Sequence, residues 1–148
     1  MTKILFLCHG NICRSPMAEM LLKYLAEKAG MGDKISVSSA AVSTEEVGND
    51  IYPPAKRILK QHGVPYEPRR AHRVTRAEME DADVVIVMDE ANRRWLRRLF
   101  GDSFDGKTRL MMEYAGEHRD VADPWYTDDF ESAYRDIEAA CRGILSVS

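Results

Sequence analysis

The chain has 148 residues, enough for one domain with a single stable core. Apolar residues make up 45% and charged residues 30%, and a net charge of −3 gives no reason to expect bulk nucleic-acid or membrane binding. The apolar run after Lys3 is too short for a secretory core, and no run approaches a membrane span. Three cysteines (Cys8, Cys13 and Cys141) are an odd count in a chain that needs no disulfides, which points to a reducing cytoplasm.

In chain order, Ile4 to Leu7 is a continuous apolar run of the kind found in a strand buried on both faces. Gly10-Asn11 marks a tight turn. Ser15-Pro16 reads as N-cap and first helical position, followed by Met17, Met20, Leu21, Tyr24 and Leu25 at helical spacing, with Gly30 as a stop. Ile35 to Ser39 alternates as a second strand. Pro53-Pro54 opens a helix that Gly63 ends, and Thr75 with Glu78 forms a capping box. Ala82 to Met88 holds the third strand, with Val84-Val85-Ile86-Val87 at its centre, followed by a helix carrying Trp95, Leu96 and Leu99. Leu110 to Met112 reads as the fourth strand. The last helix starts near Asp129, with Phe130, Tyr134, Ile137, Cys141 and Leu145 as its buried stripe. Arginines cluster at Arg69, Arg70, Arg73 and Arg76, and again at Arg93, Arg94, Arg97 and Arg98; such runs ordinarily form solvated faces.

Strands alternating with helices predict an α/β fold with a parallel sheet covered on both faces, in one domain spanning 1–148. Ligands of such sheets bind beyond the carboxyl ends of the strands, and the first strand ends at Cys8.

The segment Cys8-His9-Gly10-Asn11-Ile12-Cys13-Arg14-Ser15 offers a phosphate what it needs. The following helix presents free amides and the positive end of its dipole, and successive loop amides can converge on one anion. Gly10 permits close backbone approach, Asn11 tolerates positive φ, and Arg14 can grip two phosphate oxygens with its planar fork. A thiol at that helix terminus, facing a guanidinium and within reach of the Ser15 hydroxyl, is favoured as thiolate, an in-line nucleophile for phosphorus. The bland alternative is a buried Cys8 and a surface Arg14 that lie six apart by chance. A departing alkoxide or phenoxide needs a proton, and Asp123 in Asp123-Pro124-Trp125-Tyr126 is the candidate acid. Proline restricts its backbone, and Trp125 and Tyr126 offer a flat, dry platform. Taken alone, the same four residues read as a turn into the last helix.

With both motifs in view, the sequence resembles the low-molecular-weight protein tyrosine phosphatases. Their loop reads Cys-x-Gly-Asn-x-Cys-Arg-Ser-Pro-x-Ala-Glu, matched at residues 8–19, and their acid motif is an Asp-Pro followed by aromatics, as at 123–126. The resemblance implies a three-layer α/β/α fold with a four-stranded parallel twisted sheet, order 2-1-3-4, wound as in flavodoxin. It implies Cys8 as nucleophile, Arg14 as phosphate clamp and Asp123 as acid, then base. His9, Gly10, Asn11, Ile12, Cys13, Ser15 and Ser39 would bind phosphate or support the loop. Ile12, Glu45, Trp125 and Tyr126 would form the substrate pocket, with Glu46 beside them, and Cys13 would be the redox partner of Cys8. It further implies no cofactor or metal, phosphotyrosine proteins or peptides as substrates, and phosphate or vanadate as inhibitory oxyanions.

Three departures stand out, the first being tryptophan at position 125, typical of bacterial members where mammalian ones carry tyrosine. The family's loop-supporting histidine aligns with Arg69, so support comes from elsewhere or from His72 in a shifted register. Glu45 stands where mammalian members carry a tryptophan. Protein-arginine phosphatases of the superfamily carry threonine at the position of Ile12 and lack the paired aromatics. Arsenate reductases need two further cysteines near residues 80–90. A catalytically silent phosphotyrosine-binding module would lack Cys8, Arg14 or Asp123. A nucleotide-binding P-loop would need Gly-Lys-Ser/Thr after the turn.

Overall fold

Residues 4–8 alternate between two apolar faces, so β1 (Thr2–Cys8) has to be covered on both sides. The computed structural model, which describes residues 1–148, meets that demand with three layers. After β1 come α1 (Arg14–Lys28), β2 (Ile35–Ala41), α2 (Pro53–Gln61), α3 (Arg76–Asp81), β3 (Val84–Val87) and α4 (Glu90–Phe100). Then follow β4 (Thr108–Leu110), α5 (Pro124–Thr127) and α6 (Phe130–Val147). The four strands are parallel in the order β2-β1-β3-β4, the order expected.

Ile4, Phe6 and Cys8 of β1 face a large cluster built with Val37, Ile86 and the inner sides of α1, α2 and α6. Leu5 and Leu7 face a smaller one closed by Met79 of α3 and Leu96 of α4. Helix α1 is buried along its whole first half, from Arg14 to Leu22, because it lies between the sheet and α6. Gly143 allows α6 to approach the turn at Met111–Ala115: a Cβ there would sit 1.9 Å from the Tyr114 carbonyl oxygen. No helix is long and apolar enough to cross a membrane.

Three local readings need correction. The first helix begins at Arg14, and Ser15 is not its N-cap; the capping position is Cys13, without a side-chain cap, because the Ser15 hydroxyl is turned to the Cys8 sulfur. The fourth strand is Thr108–Leu110, and Met111 and Met112 already belong to a 3₁₀ turn. On α6 it is Ile144 rather than Leu145 that is fully buried, one position earlier on the stripe. The Thr75–Glu78 capping box is present, and α6 starts one residue after Asp129, whose side chain caps it through the Ser132 amide.

Candidate active site

The loop between β1 and α1 is fastened from outside by its carbonyl groups. The Cys8 carbonyl accepts from the Val42 amide, and that of His9 from the Ser43 amide and hydroxyl. The Ile12 carbonyl accepts from Tyr52, at the mouth of α2, and that of Cys13 from Met17. With its carbonyls turned outward, the loop keeps its amide edge inside, where the amides of Asn11 and Ser15 point at the Cys8 sulfur at 3.3 and 3.5 Å. The left-handed turn that makes this possible falls on Asn11, at φ 61°. Gly10 passes so close to Glu46 that an added Cβ would meet its Cγ at 3.1 Å.

The Ser15 hydroxyl lies 3.0 Å from the sulfur and accepts from the Asn11 side-chain amide at 2.8 Å. Its own proton is therefore free for the sulfur. The second Asn11 amide proton goes to Ser39 at 3.0 Å, and Ser39 donates to Glu19. The Cys8 sulfur thus receives two backbone amides and one hydroxyl, an arrangement that suits a thiolate.

Arg14 is 2% exposed. One terminal nitrogen donates to Asp89 at 2.7 Å and to the Val121 carbonyl at 2.8 Å; the other reaches Asp123 at 3.4 Å. Burial opposes its charge, but the facing Cys8 sulfur, Asp89 and Asp123 outweigh it and raise its pKa further. Asp89 serves twice, since its other oxygen caps α4 through the Asn92 amide at 2.8 Å. Asp123 is likewise a cap: one oxygen accepts from the Trp125 amide at 3.0 Å, while the other faces Arg14.

Cys8, His9, Gly10, Ile12, Cys13, Arg14, Glu45, Glu46, Asp123, Trp125 and Tyr126 line one cleft, with Asn11, Ser15 and Ser39 behind its floor. Apart from His72, every residue picked from the sequence is therefore at or directly behind this cleft. The dry aromatic platform is not found. Trp125 is 52% and Tyr126 84% exposed, because α5 is a single turn at the cleft mouth. Trp125 is steadied by the Tyr52 ring at 4.9 Å. Glu45 pairs with His9 at 2.9 Å and lies on the rim. Cys13 is buried, and burial, reinforced by the neighbouring Cys8 sulfur, pushes its thiol well above the ordinary value. Burial does the same to Cys141, inside α6. All three cysteines are free thiols.

Sequence reasoning did not assign Asp89, Glu19, Tyr52 or Arg69 to the site. His72 does not support the loop; it is exposed and pairs with Glu78. Arg69, read as part of a solvated basic run, is instead turned inward onto Asn11. The alignment of the missing histidine with Arg69 was the signal that could have found it.

Residues 3–147 match the family described as low molecular weight phosphotyrosine protein phosphatase. The chain is 34% identical to the low molecular weight protein-tyrosine-phosphatase YfkJ of Bacillus subtilis, over 99% of this chain and 95% of that one. The YfkJ crystal structure superposes with a TM-score of 0.94, covering 99% of this chain and 94% of that one. That of SP-PTP, a low molecular weight protein tyrosine phosphatase from Streptococcus pyogenes, is 35% identical with a TM-score of 0.90, covering 99% and 93%. A Drosophila arginine phosphatase is 29% identical with a TM-score of 0.89, covering 99% and 97%. A four-stranded parallel sheet with a cysteine-arginine loop after its first strand, matched over nearly the whole chain, means that this protein belongs to the low molecular weight protein tyrosine phosphatase family.

Proposed function

We propose that the protein hydrolyses phosphotyrosine and other aryl phosphate monoesters in two steps at Cys8. In the first, the Cys8 sulfur attacks phosphorus, the S–P bond forms as the P–O bond to the aryl group breaks, and Asp123 gives its proton to the departing oxygen. In the second, the Asp123 carboxylate takes a proton from water, whose oxygen displaces the sulfur and releases phosphate. Arg14, held by Asp89 and the Val121 carbonyl, clamps the phosphoryl oxygens together with the loop amides. The observation that carries this reading is the Cys8 sulfur beneath converging donors, with Arg14 and Asp123 across the same cleft.

Ile12 in the floor and Trp125 at the mouth favour an aromatic ring over the polar guanidino group of phosphoarginine. The similarity to an arginine phosphatase keeps that substrate as the second reading. Three free thiols suit a cytoplasmic setting, with phosphotyrosine proteins or peptides as partners and phosphate or vanadate as inhibitors. The test is turnover of an aryl phosphate beside a phosphoarginine peptide, with wild type and Cys8→Ser. Cys8→Ser should abolish turnover and still bind vanadate, because the anion is held by Arg14 and the amides. More than trace activity in that variant rules out the phosphocysteine route, and preference for phosphoarginine overturns the aryl assignment.

A further inference from the structure

Asn11 is fully buried in the left-handed conformation, and its carboxamide is the hub of the bonds behind the cleft. A carboxamide can be turned two ways, and only one serves the sulfur. With its nitrogen toward Ser15 and Ser39, it donates to both hydroxyls and leaves the Ser15 proton for Cys8. Turned over, its oxygen would accept the Ser15 proton, and the sulfur would lose that donor.

What selects the orientation is Arg69. One terminal nitrogen of its guanidinium donates to the Asn11 backbone carbonyl at 3.0 Å and the other to the Asn11 side-chain oxygen at 2.7 Å. A guanidinium has donors only, so the oxygen must face it and the nitrogen must face the serines. The same fork ties side chain to main chain within one residue, which also holds the positive φ. Arg69 is itself well anchored. Its side chain is 14% exposed, its Nε lies 3.9 Å from Glu19, and its amide donates to Asp50 at 3.1 Å. The strand-like segment around it is stitched on by Ala71 to Asn49 and by the bridge of Arg73 to Ala41 at the end of β2.

We propose that Arg69 is a positioning residue: by holding the Asn11 carboxamide in one orientation it directs the Ser15 proton onto the Cys8 sulfur, and it does so independently of pH. This rests on the phosphocysteine reading above. An arginine keeps its charge across the physiological range, whereas a histidine here would change its donor count near neutrality. The charged groups facing Arg69 are Glu19 from α1, itself held by Lys23, and Asp50, held by Lys56. The loop support is therefore made of carboxylates, lysines and an arginine, with no imidazole in it.

The test compares wild type with Arg69→Met, Arg69→Lys and Arg69→His. It reads the alkylation rate of Cys8 by iodoacetamide across mildly acidic to neutral pH, then kcat and KM on an aryl phosphate. Losing the hydroxyl bond to the thiolate should slow alkylation of Arg69→Met near pH 6 by about tenfold and lower kcat by about as much. KM should change little, since Arg14 and the amides still hold phosphate. Arg69→Lys, which reaches one oxygen at a time, should fall between. Arg69→His should show a pH-dependent step in the imidazole range that wild type lacks. A folded Arg69→Met with wild-type alkylation and kcat profiles would reduce Arg69 to a brace. If Arg69→Met does not fold, the absence of the extra step in Arg69→His overturns the proposal equally. Wild type without aryl phosphatase turnover would sink the function, while the alkylation contrast would still report on Arg69.

Discussion

Replacing Asp123 with asparagine isolates its proton from its other contacts. Asparagine keeps the side-chain oxygen that caps α5 through the Trp125 amide, so the single-turn helix at the cleft mouth is retained. What it loses is the acid that faces Arg14 from 3.4 Å, beside the position a bound phosphoryl group would take. General acids of this kind contribute at least about a hundredfold, so kcat on phenyl phosphate should fall by about that factor, equivalent to about 2.7 kcal/mol of transition-state stabilisation. KM should change little, because Arg14 and the loop amides still hold the phosphoryl group. The assay is kcat across a series of aryl phosphates whose leaving groups become steadily weaker bases. The loss should shrink along the series, since a weakly basic phenoxide departs without a proton. An equal loss at every leaving group would place the acid elsewhere and leave Asp123 as a cap and a partner of Arg14.

Aryl phosphates should be hydrolysed much faster than phosphoserine peptides, because Cys8 lies at the cleft floor, 3% exposed, beyond reach of a short side chain. Trp125→Ala should lower kcat/KM on aryl substrates by up to about tenfold, and equal rates on phosphoserine and phosphotyrosine would refute selection by the depth of the cleft. Glu45 and Glu46 on the rim should disfavour acidic residues beside the phosphotyrosine, an effect that the His9 pairing of Glu45 partly screens and that charge-neutral variants at both positions should remove. Peroxide should inactivate the enzyme reversibly through a Cys8–Cys13 disulfide, with dithiothreitol recovery lost in Cys13→Ser; full recovery in that variant would make Cys13 packing alone. The Asp50 and Glu131 carboxyls are held below their ordinary values of 3.8 and 4.5, by hydrogen bonds from Lys56 and His62. Their contribution is present above those values and lost as pH falls through the lower folded ones, so the urea midpoint should hold down to about pH 5 and drop below about pH 4, less steeply in Asp50→Asn. A flat midpoint across that range would contradict the pairing.

The chemistry of residues 8–15 was legible in the sequence because it is local. A strand end, a glycine, an asparagine and a helix start within eight residues leave the backbone few ways to turn, and the Cys8, Arg14 and Ser15 side chains share one concave side. The capping box at Thr75 was legible for the same reason, its bond spanning three residues. The three-residue strand at Thr108–Leu110 was misplaced because so short an edge strand carries no periodicity. The reach of Arg69 and Asp89 was not legible in local spacing. Arg69 reaches Asn11 across 58 residues and Asp89 reaches Arg14 across 75. From the sequence alone, an arginine in a basic run and an aspartate before a helix look like solvated groups. Only the packing of the segment after α2 along the end of β2, and of β3 beside β1, decides that these two charges face inward and hold the loop.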